Sequence, residues 1–310
     1  MMKKWLFVLL AGMLFSVLAV YIVIPNTISL RASLLIKATR PGIHRMLSDK
    51  NSVARWWPGK VSNGGFYFNG RTYQITSGNI TVLPIAVNTK KYELNTSLFL
   101  ISFTTDSTKM GWVGSLTTSY NPFDRFRSYL EAKKIQKDMK IILQTMDTFY
   151  SKPENIYGIR IKNHLITDSI LIAFAGSCKG YPTTSFLYGL FAKLKTHALA
   201  RGAIVQGFPM MNIRAADSIN YDYMVALPID KKLPSSGDIL EKRLPGRCNL
   251  LVTEVEGGPE TNKRAFQQME YYLEDYKLKS PALPFYSLIT DRLQEQDTSK
   301  WITKIYLPVF

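Results

Sequence analysis

The chain has 310 residues, 46% of them hydrophobic and 20% charged, which excludes a disordered chain and suffices for two domains of ordinary size. Its net charge of +16 is uneven: residues 26–152 carry +11, residues 153–310 only +3, and Lys3 and Lys4 the rest. Cys178 and Cys248 match no metal or redox spacing, so they read as two separate thiols, although an oxidising compartment would permit a disulfide.

Residues 1–25 read as a membrane anchor. Trp5 to Ile24 is twenty residues without a charge, and at ~1.5 Å per residue that spans a ~30 Å hydrocarbon layer. The apolar run continues past the weak Val17-Leu18-Ala19 exit site, which favours an uncleaved anchor over a signal peptide. Lys3 and Lys4 precede the span, so the positive-inside tendency keeps the N-terminus cytoplasmic. The expected localisation is single-pass in a bacterial inner membrane, with the domains on the periplasmic side.

Residues 27–37 alternate and predict a strand. Pro41 opens a short helix, and "ARWWPG" closes that segment at Pro58-Gly59. A long run dense in aromatic and β-branched residues follows, with Gly, Asn and Asp between the strands. Pro122 then starts a long amphipathic helix whose apolar stripe reads Phe126, Leu130, Ile135, Met139, Ile142 and Met146. Residues 151–158 read as a linker.

This order resembles the START-like (SRPBCC) superfamily of polyketide cyclases and lipid-transfer domains. The features are an opening strand, a short helix, "ARWWPG", meandering strands and a final helix over residues 27–152. The resemblance implies a helix-grip cavity for a hydrophobic ligand, with Trp56 and Trp112 as ligand-binding candidates. Read as residues alone, Trp56, Trp57 and Trp112 are more often a plug in the core than a ligand surface.

Residues 153–310 read as two βαββ units. The first has a strand at "HLITDSILIAFAGSC", a helix from Thr183 to Arg201, then strands near 207–213 and 220–229. The second has a strand at "RCNLLVTEVEG", a helix from Glu260 to Tyr276, then strands near 284–290 and 301–309. Pro182 and Pro259 open the helices 77 residues apart, and Pro228 and Pro308 end the units 80 apart. The helical stripes agree: Leu187, Leu190, Phe191 and Leu194 in one, Phe266, Met269, Leu273 and Tyr276 in the other. Joined edge to edge, the units would bring Met211, Tyr223, Tyr286 and Trp301 to one groove, with Phe174 and Tyr188 nearby. Such rings suit flat apolar ligands; singly, each also reads as packing between helix and sheet.

This half resembles the GyrI-like small-molecule-binding domain, also found as the effector-binding domain of multidrug-sensing transcription activators. The ending "WITKIYLPV" and the "GGPE" turn carry the resemblance over residues 155–310. It implies a buried glutamate that attracts cationic aromatic ligands, but counting back from Thr290-Asp291 puts Tyr286 in its place. The expected preference is therefore for neutral planar aromatics, with Glu254 and Glu256 as possible substitute acids.

His44, His164 and His197 are scattered, and no nucleophile elbow, phosphate loop or metal-ligand cluster occurs. No catalytic residue, metal or cofactor is assigned. The fold class expected is α+β: an N-terminal transmembrane helix over 1–25, a START-like helix-grip domain over 26–152 and a duplicated βαββ GyrI-like domain over 153–310. The expected function is a non-catalytic, membrane-anchored binding protein for hydrophobic or amphipathic small molecules. The rival is a hydrolase or cyclase acting on a small aromatic molecule in the second pocket. No nucleic-acid motif accompanies the basic first half, so its charge points to an anionic membrane surface as partner rather than nucleic acid.

Overall fold

The structure, a computed structural model, describes residues 2–62, 64–165, 169–244 and 249–310. Cys248 lies outside the described residues, and Cys178 is a free, half-buried thiol. The chain is α+β with two large antiparallel sheets, in two units: Met1–Lys152 and Pro153–Phe310.

The membrane anchor is corrected. Among the described residues, no helix is long and apolar enough to cross a membrane. The first helix is α1 (Met2–Val23). Its C-terminal end is tied to protein instead. The Ile24 carbonyl accepts from Arg125 Nε at 2.8 Å, and the Tyr21 hydroxyl donates to the Tyr120 carbonyl. The single-pass localisation is corrected with the anchor.

In the first unit, β1 (Thr27–Ile36) leads to two short helices, α2 (Arg40–Leu47) and α3 (Lys50–Ala54). Six strands follow: β2 (Lys60–Ser62), β3 (Gly65–Phe68), β4 (Arg71–Ile75), β5 (Val82–Asn88), β6 (Glu93–Ser102) and β7 (Thr108–Thr117). They meander into one sheet whose last strand returns to pair with β1, in the order β1-β7-β6-β5-β4-β3-β2. Alternation puts Leu94, Thr96, Leu98 and Leu100 of β6 on the buried face. The long helix α4 (Pro122–Tyr150) packs on β1 and β7. Asn121 caps it, accepting from the backbone N–H groups of Phe123 and Asp124.

The buried stripe of α4 is Arg125, Ser128, Ala132, Ile135, Met139, Ile142, Met146 and Tyr150. Phe126 and Leu130, expected on that stripe, are exposed. Stepping back from Ile135 by three and four residues reaches 132, 128 and 125 rather than 130 and 126. The buried face therefore continues through small and polar side chains, and Arg125 is buried because it serves the Ile24 carbonyl at the end of α1.

The second unit starts with α5 (Pro153–Tyr157) and β8 (Lys162–Leu165). The first repeat is β9 (Ser169–Lys179), α6 (Thr184–Ala200), β10 (Met210–Ala215) and β11 (Asn220–Ile229). β12 (Ile239–Leu244) leads to the second: β13 (Asn249–Glu256), α7 (Pro259–Tyr276), β14 (Phe285–Leu288) and β15 (Ile302–Val309). The sheet order is β12-β9-β11-β10-β14-β15-β13-β8. Each repeat's leading strand thus covers the outer edge of the other: β8 pairs with β13, and β12 with β9. The segment read from sequence as one strand, 164–178, contributes to two strands at different places in the sheet.

β10 and β14 join the halves, with Met210 opposite Ser287 and Met211 opposite Tyr286. On the helix-covered face, Met211, Val225 and Leu288 pack with Leu187, Phe191 and Leu194 of α6. Leu251, Ile305 and Leu307 pack with Ala265 and Met269 of α7. Tyr286 touches both clusters. On the opposite face, Leu171, Ala173, Met210 and Ala226 form a smaller core.

Candidate functional site

The seam between the halves gathers most of the aromatic residues singled out from the sequence. Tyr286 stands on β14 with its ring 6.4 Å from Phe266 of α7 and is half-buried, whereas Met211, Leu288 and Ile305 around it are sealed. From α6, Tyr188 packs edge-on to Phe191 and reaches the β14–β15 loop. There its hydroxyl accepts from the Arg292 backbone N–H at 2.8 Å. Trp301 immediately precedes β15; its indole Nε1 donates to the Glu295 carbonyl at 2.8 Å, which fixes the ring against the same loop.

Phe174 and Tyr223 continue this face along β9 and β11, alternating in register with Val225. Phe186 of α6 meets Tyr223 edge-on at 5.3 Å. Gly176 makes room for that ring: a Cβ there would lie 2.7 Å from the Tyr223 hydroxyl oxygen.

Three residues of this surface were not picked out in the sequence: Arg292, Tyr181 and Gly176. Arg292 follows Thr290-Asp291, where a charged loop residue reads as solvated. Instead its guanidinium lies 4.6 Å from the Trp301 ring centroid and donates through Nη2 to Thr303 Oγ1 at 2.9 Å. Its Nε is buried without a partner. Burial pulls this guanidinium below arginine's usual range, opposed by the Tyr188 and Tyr181 hydroxyls. No carboxylate pairs with it among the described residues.

Burial pushes the Tyr286 hydroxyl up to about 12, with Tyr181 and Glu270 adding to the rise. Burial, then the neighbouring Glu274, raises Glu270, an exposed residue of α7. Glu254 pairs with Lys304 at 3.4 Å. It and Glu256 alternate with Leu251, Thr253 and Val255, so both point to the sheet face away from α7. They do not replace the acid missing at Tyr286.

Trp56 and Trp112 belong to the first unit and are sealed in its core. Trp112 is fully buried and donates to Thr96 Oγ1 at 2.8 Å, and burying such a ring contributes on the order of 5 kcal/mol of gross transfer energy. Trp56 packs on Trp57 and edge-on to Tyr150. Below these rings, Asp138 accepts from Arg71 Nη1 at 2.6 Å, Asn69 Nδ2 at 2.8 Å and the Tyr73 hydroxyl at 3.2 Å. Arg71 also holds Glu131, beside an open cleft of about 290 Å³ that Lys91, Tyr92 and Arg127 help line. A second cleft, about 190 Å³ and mostly apolar, lies by Met210, Met224 and Phe285 on the helix-free face of the second unit.

No family model and no curated protein matches the chain. Among solved structures, the EcmrR chain of an EcmrR–DNA complex is 18% identical over 62% of this chain and 72% of its own, at TM-score 0.44. The EcmrR C-terminal domain is 15% identical over 49% and 98%, at TM-score 0.43. SAV2435, solved bound to tetraphenylphosphonium, is 17% identical over 49% and 94%, at TM-score 0.32. All three are under 20% identical and under TM-score 0.5, and none of them assigns this chain to a family. At such TM-scores they carry no argument about what this chain binds.

Proposed function

We propose that this protein is a receptor for a small planar aromatic molecule, bound on the seam surface of its second unit. The supporting observation is Tyr286: it faces Met211 across the β10–β14 ladder and is only partly buried between two helix-covered cores whose own side chains are sealed. Rings left open beside a closed core supply contact area at low entropic cost, and the Tyr188 and Tyr286 hydroxyls supply directional contacts. Burial pushes the Tyr286 hydroxyl up to about 12, so at neutral pH it is available as a hydrogen-bond donor to a bound ligand. For the first unit we propose the START-like reading, supported by the seven-stranded antiparallel sheet on whose strands β1 and β7 the long helix α4 packs; its interior is filled by Trp112, Tyr73 and Tyr150.

The test is calorimetric titration of the full chain with 2-naphthol. Saturable one-to-one binding, weakened by both Tyr286→Ala and Tyr188→Ala, is the expected result. Heat unchanged by either substitution, or no saturation, would overturn the reading.

A further inference from the structure

Resting on that seam reading, the geometry points to an aromatic carboxylate as the ligand class, with Arg292 receiving the carboxylate and the surrounding rings the aromatic body. Arg292 is half-buried against Trp301, and its Nε is buried without a partner. A cation removed from water costs several kcal/mol unless something answers its charge. The protein answers only in part. The Trp301 face offers a cation–π contact at 4.6 Å, and Thr303 accepts one hydrogen bond at 2.9 Å.

The nearby acids are engaged elsewhere or stand apart. Asp291 takes the Leu293 backbone N–H at 3.0 Å. Glu270 couples to Tyr286 and Glu274 on the α7 side. No acid among the described residues completes the site, and that charge is assigned to the ligand.

The geometry suits a carboxylate in particular. A guanidinium is a planar fork that matches a carboxylate's two oxygens, and a charge-assisted pair is about twice as strong as a neutral hydrogen bond. The fork is held from two sides: Thr303 takes one nitrogen, and Tyr188 fixes the backbone of the same residue. A flat body attached to that carboxylate would lie along Tyr188, Tyr286 and Trp301. The same arrangement opposes a cationic aromatic, which would be brought up to an uncompensated positive charge.

Three isosteric probes separate this inference from the reading beneath it: 2-naphthoate, the neutral 2-naphthamide and the cationic 2-naphthylmethylammonium. Each is titrated calorimetrically into the full chain at pH 7. We expect 2-naphthoate to bind at least about tenfold more tightly than 2-naphthamide, and the cation to bind most weakly. In Arg292→Met, which keeps the stem over Trp301, the advantage of carboxylate over amide should disappear while amide binding persists. Equal binding of carboxylate and amide by the wild type, or tighter binding of the cation, overturns the carboxylate inference and leaves the aromatic receptor standing. Failure of all three probes to bind folded protein overturns both. The wild-type series decides the matter even if Arg292→Met does not fold, and Arg292→Lys, which keeps the charge but loses the fork, should retain part of the preference.

Discussion

Met211 and Tyr286 are register partners across the β10–β14 ladder that joins the two repeats of the second unit, one sealed beneath α6 and the other half-open toward both helices. The pair links fold and site, because the side chain that closes the seam underlies the ring that the ligand would meet. Truncating Met211 to Ala should cost about 2–4 kcal/mol through lost burial and the cavity left behind. Hydrogen exchange read peptide by peptide should show faster exchange in 208–215 and 284–290, with the strands of the first unit unchanged. Uniform acceleration across the chain would show that the seam is not the local weak point.

The buried charge cluster of the first unit makes a different prediction. Asp138 and Arg71 are almost fully buried and 2.6 Å apart. Removing the acid alone, as in Asp138→Ala, leaves the arginine with Glu131 and the Asn69 carbonyl, and should destabilise the unit by roughly 3–5 kcal/mol. Replacing both by apolar residues, Arg71→Met with Asp138→Leu, should recover most of that loss. A double variant as unstable as the single one would mean that the cluster does more than answer its own charge.

Much of the second unit was legible in its residues. Pro259 at the head of α7, the Leu187-Phe191-Leu194 stripe of α6 and the alternation of β11 and β15 are local signals, and the elements lie close to where those signals put them. The edge strands β8 and β12 were not legible. Their partners belong to the other repeat, and a short exposed strand such as Lys162–Leu165 carries no alternation to read. The α4 stripe misled at its first turns because Arg125 and Ser128 are polar by type and buried by tertiary contact. The anchor misled because composition favoured a span that the described helix does not provide. Six of the eight ligand-binding candidates were traceable to the repeat, whereas Arg292 was not. Its burial comes from Tyr188 on α6 and Trp301 just before β15, which no spacing within the loop announces.

Alkaline pH should weaken the seam. Tyr286 is raised in the fold to about 12, chiefly by burial, from an ordinary value near 10. Between those limits the folded state holds a proton that the unfolded chain has lost. Its contribution is complete below pH ~10 and is lost as pH rises toward 12. Tyr286→Phe, which cannot ionise, should therefore show a shallower fall in the thermal midpoint of the second unit over pH 10–12 than wild type. Parallel curves would mean that Tyr286 ionises as readily in the fold as in the unfolded chain.

Gly176 offers a way to disturb the site without disturbing the fold. Its backbone is not in the left-handed region, so alanine is conformationally permitted there. A Cβ would nevertheless fall 2.7 Å from the Tyr223 hydroxyl oxygen and 3.0 Å from Cζ, closer than a methyl group can stand. The obstructing atoms are the far end of a side chain that is only half-buried, so the Tyr223 ring can swing away while the β9–β11 ladder holds. That swing breaks its edge-on contact with Phe186 and moves one ring of the proposed binding face. Gly176→Ala should thus shift stability by no more than about 1 kcal/mol, since aromatic pair contacts are worth ~0.5–1.5 kcal/mol. It should also weaken 2-naphthol binding several-fold. Tyr223→Ala in the same background should restore stability to that of Tyr223→Ala alone, because the clash has no partner once the ring is gone. Unchanged affinity in Gly176→Ala, with Tyr223 shown displaced by its altered ring proton shifts, would remove Tyr223 from the binding surface and confine the site to Tyr188, Tyr286 and Trp301.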